Sequence, residues 1–469
     1  MDAVKWIRTN RKRFIDLSNQ VWDFAELGFK ETRSAELLAD ALKADGFVVQ
    51  RGVADIPTAF VASFGEGKPV IALLGEYDAL PGISQECVPY PKPREEGGNG
   101  HGCGHNLLGV GSLAAAMAVA EAIRAGEVKG TVRYYGCPAE ENGAAKTFMV
   151  KAGVFKDVDI SLTWHPDAYN GTLGINILAN IWVTFRFHGQ AAHAAADPQN
   201  GRSALDAVEL MNVGTNYLRE HLIPEARIHY IISNGGGSAP NVVPPLAESQ
   251  YIIRAPLLSQ VNEIYPRVVD IARGAALMTG TEVEIIFKIG MSNLLLNDTI
   301  TDVFYEKMTA IGAPEFSAEE IKFAEEIGAT FPSGDAHGYV IKAFGSTAAS
   351  LVPEKENGVL LSTIMPNTHT NYVLPGSTDV GDVSWVTPTG QITTATMALG
   401  TPGHSWQTVA QSRMGIGQMG MLFAGETMAL TALEFMSNPV RLKAARDEFE
   451  KKIAKTPYAC PIPDGVKPF

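Results

Sequence analysis

The sequence predicts an α/β fold: a mostly parallel sheet covered by helices, with an inserted ferredoxin-like α+β satellite. Three observations predict it. Over residues 1–175, short apolar runs bounded by Gly and Pro alternate with helical periodicity. Over 176–297 the order becomes β-α-β-β-α-β, the ferredoxin-like succession, with antiparallel pairing expected and both helices on one face. From 298 to 469 helical patterns resume around one more apolar strand, so the chain leaves one domain, builds a satellite and returns.

The elements follow from the patterns in order. Val4 to Ala25 and Thr32 to Asp45 carry apolar residues at helical spacing. Phe47 to Gln50, Thr58 to Phe64 and Pro69 to Leu74 read as strands, and a Pro- and Gly-rich loop spans Gly75 to Gly100. A helix is expected over Leu107 to Ile123, a strand over Thr131 to Gly136, a helix near Ala144 to Ala152 and a strand over Asp159 to Trp164. The satellite reads as strand Ile181–Phe187, helix Arg202–Glu220, strands Arg227–Ser233 and Glu248–Ala255, helix Gln260–Thr279 and strand Glu282–Ile289. A strand over Gln391 to Leu399 and a long helix from Trp406 to Met436 close the chain, while the layout of 331–390 is not legible.

Composition narrows the function. With 469 residues, 46% hydrophobic and 19% charged, the chain can build a large core. A net charge of −13 without an offsetting basic run argues against nucleic acid or an anionic membrane as partner. Four cysteines at unrelated spacings fit a reducing compartment. The N-terminus lacks the basic-then-apolar layout of a signal peptide, and no membrane-spanning apolar run is read, so a cytoplasmic protein is expected.

The chemistry concentrates at strand-to-loop junctions. Cys103 and His105 offer a thiolate and an imidazole two positions apart, and Gly102 and Gly104 let the backbone turn both toward one ion. The strand Thr131–Gly136 runs into Glu140-Glu141, two carboxylates that repel unless one binds metal and the other acts as a base. Alone, such a pair is more often a solvated first helical turn. His165 and His404 each follow an apolar strand, and a lone histidine there is more often structural. Jointly, Cys103 with His105, Glu141, His165 and His404 gather at one sheet edge, and five ligands fit two metal ions better than one tetrahedral zinc.

These residues, in order with Asp78-Ala79-Leu80-Pro81, Pro138-Ala139-Glu140-Glu141 and Gly189-Gln190-Ala191-Ala192-His193, resemble the amidohydrolase branch of the aminoacylase and carboxypeptidase-type dinuclear metallopeptidases. The segments Gly75–Gly82 and Gly98–Gly109 carry the most specific part of the match. The resemblance implies Cys103, His105, Glu141, His165 and His404 as metal ligands and Glu140 as general base. It implies Asp78 as their buttress and two divalent ions per subunit, manganese or zinc. It implies hydrolysis of the amide of an N-acyl amino acid, with an aromatic acyl-glutamate foremost and other N-acyl amino acids or dipeptides as alternatives. It also implies a homodimer in which His193 crosses to the neighbouring site to stabilise an oxyanion, and a possible homologous second subunit. Asn241 and Arg254 match positions that hold a substrate carboxylate, with a surface salt bridge as the lesser alternative for Arg254. Asn106 departs from the branch, where Asp is usual. Two rivals remain: a hydrolase with Cys103 as nucleophile, and a non-catalytic binding subunit.

Overall fold

A computed structural model describes residues 2–172, 174–332, 338, 340–341, 344–352, 358–367 and 372–468. Within 331–390, residues 333–337, 339, 342–343, 353–357 and 368–371 therefore lie outside the described residues. Helices α1 (Ala3–Thr9), α2 (Arg11–Phe24) and α3 (Thr32–Ala44) lead into strands β1 (Val48–Arg51), β2 (Phe60–Glu66) and β3 (Val70–Glu76). Helix α4 (His105–Arg124), β4 (Gly130–Cys137), a single turn α5 (Glu140–Gly143), α6 (Ala145–Lys151) and β5 (Ile160–Asp167) follow, then the short strands β6 (Gly171–Thr172) and β7 (Asn176–Ile177). Next come β8 (Ala179–His188), α7 (Ala204–Leu218), β9 (Arg227–Asn234), β10 (Leu246–Ala255), α8 (Leu258–Thr279) and β11 (Glu282–Met291). The chain ends through α9 (Asp298–Ile311), α10 (Ala318–Gly328), β12 (Val373–Leu374), helix Val380–Ser384, β13 (Thr389–Ala395) and helices Trp406–Gln411, Gly415–Ser437 and Pro439–Ile453.

The main sheet has the order β1-β2-β4-β3-β5-β13-β6. Its four middle strands, β4-β3-β5-β13, run parallel, and antiparallel pairings are confined to the two edges. Strand β3 is buried at all seven positions, as a central parallel strand covered on both faces must be. Helix α4 lies against it and is apolar nearly all round, which suits a helix enclosed by others rather than one facing water. It alone among the described helices has the length and apolarity to cross a membrane, a feature the sequence reading passed over, yet 89% of that window is buried inside the fold. The second sheet, β11-β8-β10-β9, is wholly antiparallel, and helices α7 and α8 pack against it around a core drawn from residues 179–276.

Three expected elements are broken by capping chemistry. The first helix is interrupted at Asn10, whose backbone leaves the helical region and whose amide donates back to Trp6. The last strand stops at Ala395, its final ladder bond running from the Thr396 N–H to the Asp167 carbonyl. The long C-terminal helix divides at Met414, which is extended.

Candidate active site

The site forms where the parallel strands end. Gly104 caps α4 in the left-handed region (φ +74°), and a Cβ there would sit 3.0 Å from the Pro166 ring. One turn on, a Cβ at Gly109 would come within 2.6 Å of the Glu76 carbonyl, so glycine lets α4 approach the end of β3. Together they present Cys103 and His105 to β5. On the far side, Glu140 and Glu141 occupy one helical turn between Ala139 and Ala144, both left-handed non-glycine residues at φ +52° and +50°. Such conformations cost of order 1–3 kcal/mol each and concentrate at functional sites. The Ala139 corner is held by the buried Glu31, which accepts its N–H at 2.7 Å.

The five expected ligands come together as two overlapping triads. Cys103, His105 and His165 place one ligand atom each within 4.8 Å of one another, and so do Cys103, Glu141 and His404, with Cys103 common to both. Cys103 Sγ lies 3.4 Å from His165 Nε2, and His404 Nε2 lies 3.3 Å from Glu141 Oε2. His165 Nδ1 bonds the Pro166 carbonyl at 2.8 Å, which turns Nε2 toward the cluster. His404 itself is left-handed (φ +53°), and its N–H donates to Gly102, docking its loop on the glycine turn.

The donor set fits cations. His105 Nε2 and Glu141 Oε1 are buried without a hydrogen-bond partner, an arrangement that costs about 1–3 kcal/mol per group unless something satisfies it. Burial, with Glu141 nearby, pushes the Cys103 thiol up, so a thiolate here needs a positive charge beside it. Burial and His105 hold His165 down at about 4, leaving it neutral and able to ligate. Asp78 serves both triads: Oδ1 meets His105 Nδ1 at 2.8 Å and Oδ2 accepts the Glu141 N–H at 3.0 Å. Burial alone would raise its carboxyl, yet the His105 contact and that N–H keep it low. Burial, then Glu76 and Glu141, lift Glu140 well above the usual carboxylate range, the direction a general base needs.

The remaining sequence candidates divide. Arg254 lines the same cavity as Cys103, Glu140, Glu141, His165 and His404, of about 570 Å3. Its guanidinium bonds only Ser377 Oγ (3.3 Å), its Nε is buried without a partner, and among the described residues no carboxylate pairs with it. His193 and Asn241 do not line this cavity; both are exposed, in the loops that follow β8 and β9, where Ala194 N–H donates to the Asn241 carbonyl. Asn106 turns away from the ligands and donates to Ser18 and to the Ser412 carbonyl, both at 3.0 Å.

Sequence reasoning missed a buried charge cluster beneath the site. Lys146 Nζ lies 2.7 Å from Glu76 Oε1 and 2.5 Å from Asp379 Oδ1, with all three side chains at most 3% exposed. Glu76 in turn lies 3.3 Å from His105 Nε2. A lysine in the apolar run Ala144–Val150 was the available signal, but its partners are 70 and 233 positions away.

The chain is 48% identical to one subunit of the p-aminobenzoyl-glutamate hydrolase of Escherichia coli (strain K12) over 466 residues, 98% of this chain and 97% of that one. Among solved structures it resembles an aminobenzoyl-glutamate utilization protein from Klebsiella pneumoniae (TM-score 0.60, 17% identity, 93% of this chain and 100% of that one). It also resembles a dinuclear metal binding peptidase of the M20 family from Bacillus subtilis (TM-score 0.58, 17% identity, 92% and 99%). The profile of Peptidase family M20/M25/M40 matches residues 72–405, and with the glycine-turn, glutamate-pair and histidine loops all inside that span, the chain belongs to this family of hydrolases.

Proposed function

We propose that this chain hydrolyses the amide bond of an N-acyl amino acid, foremost an aromatic acyl-glutamate such as p-aminobenzoyl-glutamate. The observation that carries the reading is one cavity lined both by four of the five candidate ligands, Cys103, Glu141, His165 and His404, and by a guanidinium with no carboxylate partner among the described residues. Cys103, His105 and His165 would hold one divalent ion and Cys103, Glu141 and His404 a second, manganese or zinc. When bound, such ions act as Lewis acids and make water a competent nucleophile near neutral pH. Glu140 accepts the proton of the attacking water and returns it to the departing nitrogen. Arg254 binds the carboxylate of the amino-acid half through its planar fork, for which a carboxylate is the natural complement.

Residues 176–297 are read as a ferredoxin-like satellite that dimerises, with 1–175 and 298–469 as the metal-binding domain. On this reading His193 and Asn241, exposed in their own chain, complete the neighbour's site, His193 donating to the developing oxyanion. The related E. coli protein is one subunit of its hydrolase, so assembly with a second, homologous subunit is part of the proposal.

A Cys103-nucleophile mechanism has the needed contact with His165 at 3.4 Å. It lacks the electropositive setting, because burial and two neighbouring carboxylates disfavour the thiolate. The test is a screen of N-acyl amino acids with manganese- or zinc-loaded protein, before and after chelation. Turnover should vanish with the chelator and return with metal; turnover that survives chelation but not thiol alkylation would refute the reading.

A further inference from the structure

The cavity has two lobes that meet at the ligand cluster. Cys103, His165 and His404 line both, and so do Asp167 and Tyr169. Arg254 belongs to one lobe alone. The other, of about 540 Å3, is walled by Met397, Leu399 and Pro402 and has no Lys or Arg among its described residues. A substrate whose scissile amide sits at the cluster therefore projects one half toward a guanidinium and the other into a largely apolar chamber.

Asp167 stands at the junction. It closes β5 two residues after His165, so both side chains leave the same face of the strand; Trp164 and Pro166 are buried while His165 and Asp167 are partly open. Its register partner on β13 is Ala395, whose methyl can neither pair with the carboxyl nor cover it. The carboxyl accepts the Ala168 N–H at 2.7 Å and shares a hydrogen bond with the Tyr169 side chain. Among the described residues no Lys, Arg or His pairs with it. A carboxylate accepts hydrogen bonds only, so it favours an N–H on the substrate and repels the substrate's own carboxylates.

We propose that Asp167 sets the direction and the acyl specificity of binding: the amino-acid carboxylate lies against Arg254, the acyl group enters the Met397–Leu399 lobe, and Asp167 accepts a hydrogen bond from an amino group on that acyl. This rests on the amidohydrolase reading and narrows its substrate class to acyl groups bearing a donor. An aromatic amine fits, being neutral near pH 7 with two N–H bonds to give.

The test compares N-(p-aminobenzoyl)-glutamate with N-benzoyl-glutamate, which differ by that amine alone, on metal-loaded protein. The wild type should favour the aminated compound in kcat/KM by about 10-fold or more, the scale of a hydrogen bond to a charged group. Asp167→Leu should bring the ratio to about one by losing rate on the aminated compound only, and Asp167→Asn, which keeps an acceptor oxygen, should fall between. A preserved ratio in Asp167→Leu, or equal losses on both compounds, would overturn the proposal while leaving the amidohydrolase reading in place. If the wild type cleaves neither compound but turns over other N-acyl amino acids, this proposal falls and the amidohydrolase reading stands; if it cleaves no N-acyl amino acid in the metal-loaded screen, both fall.

Discussion

Replacing Lys146 by Met should be among the most destabilising single changes away from the ligands. Its ammonium lies 2.7 Å from Glu76 and 2.5 Å from Asp379, all three side chains being essentially sealed from water. Removing one member of such a cluster strands the other charges in a poor solvent and costs about 3–5 kcal/mol. With about 2.1 cal/mol/K of unfolding entropy per residue, the 469-residue chain loses about 1 kcal/mol per degree, so the melting temperature should drop by about 3–5 °C. The melt is best followed by circular dichroism on metal-free protein, because bound metal would add its own stabilisation to the folded state. Asp379→Asn should cost less, since Lys146 keeps Glu76. The double variant Lys146→Met/Asp379→Asn should be less damaged than the two losses added together, because the second change removes a charge that the first left unpaired. A Lys146→Met melt within a degree of wild type, or strict additivity in the double variant, would refute the reasoning.

Three further outcomes are expected. Glu140→Gln should keep its bound metal, measured by elemental analysis, while losing about 10²–10⁴ in kcat; loss of metal would mean that the roles of Glu140 and Glu141 are exchanged. Arg254→Met should lower kcat/KM by about 10–100-fold for acyl amino acids and far less for the corresponding amides lacking the carboxylate, and an equal fall on both would remove Arg254 from carboxylate binding. Mixing His193→Ala with Glu140→Ala protomers should restore part of the activity that each lacks alone; none, with mixed dimers verified, would end the shared-site proposal.

Much of the fold was legible because periodicity reports burial directly. The run Val70–Glu76 is buried throughout and emerged as the central parallel strand, and the β-α-β-β-α-β pattern maps onto the antiparallel second sheet. Breaks inside long helical patterns were not legible: Asn10 and Met414 interrupt helices through local backbone geometry that an apolar stripe does not record. The candidate ligands Cys103, His105, His165 and His404 were visible because each stands beside glycine or proline, and Glu141 because it forms a glutamate pair just past a strand. Glu31, Lys146 and Asp379 carry no such mark, and the role of Glu76, although it ends β3 beside Gly75, depends on how α6 brings Lys146 to β3 and to Asp379.

The sequence by itself determined the alternation of elements, the candidate metal donors and the paired glutamates, because these follow from local pattern and from side-chain chemistry. Only the tertiary structure decided which candidate donors lie close together, that Cys103 stands in two of those groups, and that Arg254 lines the same cavity while His193 and Asn241 do not. It also decided that Lys146 neutralises carboxylates beneath the site and that Asp167 stands between two lobes. The reason is physical: these are distances between residues far apart along the chain, fixed by how strands pair and helices pack, and no local stretch of sequence encodes them.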